Sequence, residues 1–207
     1  MKRKTQNQLS WLGAALITAA LQLTCVAALQ AQDDDVMRRV LDLTLPGPEH
    51  AIIERLAGSW DVELRTWSEA GSPPLLTTGT AEHVMVLEGR FLDMRLACGE
   101  GELFSASNMM LGFDRRTEEY HLLVFDTWGT HYLVVKGHFS TDQSSFIFTG
   151  SDFDPKQDLI VKYVVRLRLI GENNAVLQMA VEDFPHVREK EFTIIEQRYT
   201  RRSGTSR

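Results

Sequence analysis

The sequence predicts an all-β protein, an antiparallel up-and-down barrel of about ten strands with a short helix at its N-terminal side. Two observations lead to this prediction. From Gly58 onward, apolar and polar residues alternate with a period of two in ten successive segments. The stretches between these segments are mostly two to seven residues long, which is too short for the crossover helices of a parallel sheet. Neighbouring strands are therefore expected to pair in order, and closure would leave no exposed edge.

Composition and charge are those of a single soluble domain. The chain has 207 residues, with 22 basic and 28 acidic side chains and a formal net charge of −6. Binding to nucleic acid requires a basic face that neutralises phosphates, so this balance argues against a nucleic-acid partner. A chain of this length can bury one substantial hydrophobic core.

Residues 1–31 have the pattern of a secretory signal peptide. Three basic residues at positions 2–4 precede an apolar stretch, residues 11–29, that contains no charge. Small residues follow, and we place the cleavage after Ala31. A cut after Ala28, retention as an uncleaved anchor, and lipidation of Cys25 are the alternatives. Cleavage would leave no stable membrane span and would place the protein in the periplasm or outside the cell.

The remaining chain divides into three parts. An acidic lead-in covers residues 32–45 and includes a short apolar helical stripe. The barrel domain covers residues 46–202, and a tail covers residues 203–207. Only Cys98 would remain after cleavage, so this exported domain must be stable through its core without an internal disulfide.

The elements of the barrel domain follow from local patterns. Pro48 favours the first turn of a helix over residues 48–57, and Gly58 ends it. The ten predicted strands cover residues 59–67, 75–87, 90–98, 104–113, 119–126, 131–139, 145–153, 159–170, 175–184 and 189–199.

The junction between the helix and the first strand resembles that of the calycins, the superfamily of lipocalins and fatty-acid-binding proteins. It reads Gly58-Ser59-Trp60, the Gly-x-Trp pattern of that group. The resemblance implies a tryptophan that closes one end of the barrel, with an arginine of the last strand stacked across it. Arg198 is the expected counterpart of that arginine. A guanidinium over an indole contributes about 0.5–2 kcal/mol.

A longer series of motifs is similar to one bacterial family, known only as a domain of unknown function (number 1579) and grouped with the calycins. The motifs, in chain order, are Pro46-Gly47-Pro48-Glu49-His50, Gly58-Ser59-Trp60, Gly89-Arg90-Phe91-Leu92, Leu111-Gly112-Phe113-Asp114, Asp126-Thr127-Trp128-Gly129-Thr130 and Asp154-Pro155. This resemblance covers about residues 46–200. It implies a lipocalin-like barrel and carries no catalytic or binding residues to transfer.

The barrel itself is the main indication of function. Ten strands can enclose a cavity, so we expect an exported protein that binds a small apolar or amphipathic molecule. Residues whose alternation could turn them inward are the candidate ligand contacts: His83, Arg90, Met94, His131 and Tyr163. The alternative is that the inward side chains meet and fill the interior, which would make the domain a structural or interaction module.

Other chemistry has weaker support in the sequence. No catalytic motif is present, so no catalytic residue is assigned, and the histidines form no close pair typical of a metal site. No cofactor is predicted; a haem protein or an enzyme that uses the cavity through His83 or His131 is the alternative. Asp114, Asp126 and Asp154 stand at strand ends, where aspartates usually cap turns.

Overall fold

The computed structural model describes residues 35–154, 158–183 and 190–203. The predicted signal peptide (residues 1–31), the first residues of the lead-in and the last four residues of the tail lie outside these ranges. The described chain forms two separate units, one that ends at Leu45 and one that begins at Pro46. In the first unit, residues 35–43 form helix α1, whose apolar side chains are exposed.

The second unit begins with helix α2, Pro48–Glu54. Pro48 occupies the first turn, where its missing N–H leaves no hydrogen bond unmade. Gly47 N–H donates to His50 Nδ1 at 3.0 Å, which satisfies one free donor at this helix end. The helix ends three residues earlier than the predicted position 57, because residues 55–57 turn through Leu56 N–H to Ile53 O and Ala57 N–H to Glu54 O bonds.

Ten strands follow, each within a few residues of its predicted position. They are β1 (Gly58–Thr66), β2 (Leu75–Val86), β3 (Phe91–Cys98), β4 (Ser105–Asp114), β5 (Glu119–Asp126), β6 (Tyr132–Ser140), β7 (Ser145–Asp154), β8 (Leu159–Ile170), β9 (Asn174–Glu182) and β10 (Glu191–Arg201). One turn of 3₁₀ helix, Gly101–Leu103, lies between β3 and β4.

The strands form one closed antiparallel barrel in which each pairs with its neighbours in sequence and β1 pairs with β10. The predicted fold class is therefore confirmed. Trp60 on β1 lies opposite Ala81 of β2 on one side and Arg201 of β10 on the other. Because the strands alternate in direction, the start of β1 and the end of β2 lie at the same end of the barrel, next to α2.

The barrel interior is filled at the α2 end. Ile53 and Leu56 are fully buried there, and α2 packs against β3 and β4. Phe146 lies at the centre of an aromatic cluster, with ring centroids 5.0 Å from Tyr120 and 4.8 Å from Phe139. We call this filled half of the barrel, with Trp60 and α2, the closed end, and the opposite half the open end.

Candidate functional site

The closed end is sealed by an arginine over a tryptophan. Trp60 is 1% exposed, and its Nε1–H donates to Leu56 O at 3.0 Å. The guanidinium carbon of Arg201 lies 4.1 Å from the Trp60 ring centroid. Arg201 also donates to the carbonyl oxygens of Ala57 at 2.5 Å and Arg55 at 2.8 Å. One side chain thereby ties the last strand to the segment that follows α2.

The prediction that Arg198 fills this position is wrong. Arg198 is exposed and its Nε–H donates to Glu196 Oε1 at 2.6 Å on the outer surface. Side chains alternate along β10, so Gln197 and Tyr199 point inward and Arg198 points outward. Strand β10 continues to Arg201, two residues past the predicted end, and this residue pairs with Trp60.

His83 belongs to the closed end and is not part of the lining of the open-end cavity described below. It is 3% exposed, and its ring lies 5.8 Å from the Trp60 ring and 5.3 Å from the Tyr199 ring. Its Nδ1 is 3.0 Å from Leu56 O, so the neutral tautomer that donates from Nδ1 fits this contact. Burial lowers the pKa of His83 to about 4, so the ring is neutral at neutral pH.

Two further candidates also lie away from the open end. Arg90 stands in the turn before β3, where its Nη1 donates to Leu87 O at 3.1 Å and to Glu88 Oε2 at 2.9 Å. Met94 is fully buried in the filled core. Neither Arg90 nor Met94 lines the cavity at the open end.

The open end contains a cavity of about 170 Å³. Tyr163 and His131, the other two candidates, line it, and His131 is an exposed residue at its mouth. Eleven apolar residues form most of the wall: Leu64, Leu96, Met109, Leu122, Val124, Leu133, Val165, Leu177, Met179, Ile194 and Ile195. The interior is thus solid at one end and hollow at the other.

A β-bulge widens the apolar wall of the cavity. The pairing register between β9 and β10 shifts between Thr193 and Ile195. A bulge places an extra residue on one strand, so the two consecutive side chains Ile194 and Ile195 both reach the lining. Strict alternation in the sequence would assign only one of them to the interior.

Polar side chains are concentrated near the mouth. They are Ser105, Ser107, Asp126, Trp128, His131, Asp152 and Tyr163; the eighth, Gln197, lies deeper, where it accepts a hydrogen bond from Tyr199 Oη–H. Burial raises the pKa of Tyr163, and the charges of Asp152 and Asp154 add to this, so its phenol stays protonated. Ser107 Oγ is buried and has no hydrogen-bond partner among the described residues. The cavity therefore has a mostly apolar interior and polar groups at its mouth.

Sequence reasoning missed Ser107 and Asp152 and gave Asp126 only a capping role. That capping role is confirmed, because Asp126 Oδ1 accepts a hydrogen bond from Trp128 N–H at 2.9 Å. Asp114 likewise caps its turn by accepting from Arg116 N–H at 2.9 Å. Alternation could have identified Asp152, because it continues the inward series of Phe146 and Phe148 on β7.

Exposed apolar side chains surround the mouth on the outside. They lie in or beside the connections that follow β1, β3, β5 and β7: Leu75, Leu76, Leu103, Phe104, Phe125, Trp128, Tyr132, Phe153 and Ile160. Phe125 and Tyr132 form a cross-strand pair with ring centroids 5.8 Å apart. An apolar molecule that approaches the open end therefore meets apolar surface first.

We also searched the described residues for a metal site and for a membrane-spanning helix. They contain no group of three or more His, Cys, Asp or Glu side chains placed to hold a metal ion. No helix in the described ranges is long and apolar enough to cross a bilayer.

A ten-stranded closed barrel, sealed at a helix-capped end and hollow at the other, defines a calycin-like protein. The chain belongs to the family described as "Protein of unknown function (DUF1579)", whose model matches residues 45–201. Among solved structures, it is similar to the crystal structure of Rv2717c from M. tuberculosis. The TM-score is 0.53 at 12% sequence identity, and the match covers 75% of this chain and 98% of that chain. This likeness concerns the fold alone. No curated protein matches the sequence at a significant level.

Proposed function

We propose that the open end of the barrel binds a small apolar or amphipathic molecule. The observation that carries this proposal is the cavity of about 170 Å³, with its mostly apolar wall and its polar groups near the mouth. Natural ligand pockets combine an apolar lining with a few placed polar groups. Filling such a cavity removes apolar ligand surface from water, which is worth about 25 cal/mol per Å².

The volume sets the size of the enclosed part of the ligand. An engineered apolar cavity of about 150 Å³ in another protein binds benzene, so this cavity suits a body of about that size. A longer ligand would extend through the mouth past Trp128 and His131. A haem macrocycle is much larger and would have to lie mostly outside the described cavity, which favours the smaller ligand over the haem alternative.

Export remains our proposal for the compartment. It rests on the basic, apolar and small-residue pattern of residues 1–31. Intact-mass measurement of the protein recovered from a cell that expresses the full chain tests it. A mature chain that starts at Gln32 supports export with cleavage, and a mass that includes residues 1–31 contradicts cleavage.

Isothermal titration with benzyl alcohol tests the proposed binding, with two leucine variants as a matched pair. Leu177→Phe places extra volume in the cavity, and Leu111→Phe places the same volume in the filled core. We expect saturable binding to the wild type, loss of binding in Leu177→Phe, and retained binding in the folded fraction of Leu111→Phe. Absence of saturable binding to the wild type, or equal binding in Leu177→Phe, would overturn the proposal.

A further inference from the structure

The polar groups of the cavity have one chemical property in common, which is that most of them accept hydrogen bonds. Two carboxylates, Asp126 and Asp152, line it together with the hydroxyl of Ser107. No lysine or arginine stands among its described lining residues. A ligand with a carboxylate at its polar end would be repelled by these negative charges. A ligand with a hydrogen-bond donor at its polar end would find hydrogen-bond acceptors there.

Both carboxylates face inward because of their position on the strands. Asp126 follows Leu122 and Val124 in the inward series of β5, and Asp152 follows Phe148 in that of β7. Ser107 lies directly opposite Asp126 in the pairing of β4 with β5. A serine hydroxyl and a carboxylate therefore stand side by side at the wall of the cavity.

These groups retain unused hydrogen-bonding capacity. Asp126 Oδ1 accepts from Trp128 N–H at 2.9 Å, and Asp152 Oδ1 accepts from Phe153 N–H at 2.8 Å. Each carboxylate has a second oxygen for which the described part of the chain provides no hydrogen bond. Ser107 Oγ is buried without a partner, which costs free energy unless a ligand or water satisfies it.

Tyr163 lies in the negative field of these carboxylates. Burial is the largest cause of the raised pKa of its phenol, and the charges of Asp152 and Asp154 are the next causes. A negative potential that opposes loss of a proton from Tyr163 also attracts a cation. Trp128 at the mouth presents an aromatic ring, a further favourable contact for a positive group.

We infer that the ligand of this cavity is an amphipathic amine, a small apolar body with a primary ammonium group held by Asp126 and Ser107, which lie opposite each other on β5 and β4, and attracted by the charge of Asp152 on the same cavity wall. The inference rests on the proposed ligand-binding function and adds the chemical class of the polar end. An ammonium group offers three donors, and Asp126 and Ser107 each present an acceptor oxygen to it. Charge-assisted hydrogen bonds of this kind are about twice as strong as neutral ones.

Three ligands with the same ring and different polar ends test this inference. Benzylamine, benzyl alcohol and benzoate are titrated at neutral pH into the wild type and into Asp126→Asn, Asp152→Asn and the double variant. The control is Asp142→Asn, an exposed carboxylate in the turn after β6 at the closed end. Asparagine keeps the shape of aspartate, and binding of benzyl alcohol shows that each variant retains its cavity.

We expect benzylamine to bind at least about tenfold more tightly than benzyl alcohol, and benzoate to bind most weakly. The double variant should lose this preference and keep its affinity for benzyl alcohol, whereas Asp142→Asn should behave as the wild type. If benzyl alcohol binds and benzylamine binds no more tightly, the inference is overturned and the cavity proposal stands. A preference for benzylamine that persists in the double variant overturns it too. If none of the three compounds binds, both proposals fail.

Discussion

Arg201 lies over the indole ring of Trp60 and joins the last strand of the barrel to the first. Its guanidinium carbon is 4.1 Å from the ring centroid, and its nitrogens bond three backbone carbonyls, those of Ala57, Arg55 and Glu172. A planar cation with several donors can make all these contacts at once. The pairing of β1 with β10 closes the barrel, and this one side chain covers its end opposite to the proposed ligand cavity.

Loss of this arginine should destabilise the protein. We expect Arg201→Ala to lower the free energy of unfolding by about 3 kcal/mol, since it removes the stacking and leaves carbonyls without donors. Arg198→Ala is the matched control; its partner Glu196 is buried but keeps a hydrogen bond from Gln178 Nε2–H, so the loss should be only about 1 kcal/mol. Urea denaturation followed by circular dichroism measures both. Equal effects of the two substitutions would contradict the assignment of Arg201 as the closing residue.

Gly58 should tolerate no side chain. Its φ of +130° lies in a region that residues with a Cβ rarely adopt, and a Cβ there would collide with Arg201 Nη1. We expect Gly58→Ala to cost about 3 kcal/mol. Gly71→Ala, at a φ of +80° with open space around it, should cost only about 1 kcal/mol. Urea midpoints of the two variants provide the comparison, and a smaller effect at Gly58 than at Gly71 would be inconsistent with this packing.

Acid should destabilise the fold through His83. Burial lowers its pKa from 6.5 to about 4, with the nearby charge of Arg201 as a further cause, while its hydrogen bond to Leu56 and the charge of Asp93 oppose this. The unfolded chain takes up a proton below about pH 6.5, and the folded chain does so only near pH 4. Stability is therefore fully present above pH 6.5 and falls as the pH decreases toward 4, by about 3 kcal/mol in total.

Unfolding free energies of the wild type and of His83→Gln between these pH values isolate this contribution. Glutamine can still donate to Leu56 O and does not titrate, so the variant should show a shallower loss of stability with acid. His138→Gln, at an exposed position, serves as the control. If the wild type and His83→Gln lose stability equally as the pH falls, His83 does not carry this dependence.

The filled and hollow halves should respond differently to truncation. Phe146→Ala in the filled half should cost about 4 kcal/mol, since its aromatic neighbours leave little room for the core to collapse. Met179 borders the cavity, so Met179→Ala should lower the free energy of unfolding by only about 2 kcal/mol. It should also enlarge the cavity, so that a larger ligand can bind. Thermal unfolding and titration with benzyl alcohol and a bulkier alcohol measure the two effects. Equal destabilisation without a change in ligand size would argue against a hollow open end.

Strand order and fold class follow from the sequence because alternation and short turns are local signals. The arginine that covers Trp60 does not follow from the sequence, because no sharp local signal marks the end of a strand. The predicted last strand ends at Tyr199, whereas β10 continues to Arg201, so the prediction left Arg201 outside the strand. Topology could have placed His83 and Met94, since the late part of β2 and the early part of β3 must lie at the end that holds Trp60. The position of the boundary between filled and hollow halves depends on side-chain volumes across the barrel, and alternation does not report these.

Methyl NMR spectra recorded during titration with benzyl alcohol would show whether a ligand binds in the cavity at the open end. Methyl groups of Met109, Leu122, Leu177 and Met179 line the cavity, whereas those of Leu92, Met94 and Leu111 lie in the filled core. We expect saturable chemical-shift changes that are largest in the first group and small in the second. Shifts confined to the second group or to surface methyls, or no saturable shift at all, would contradict it.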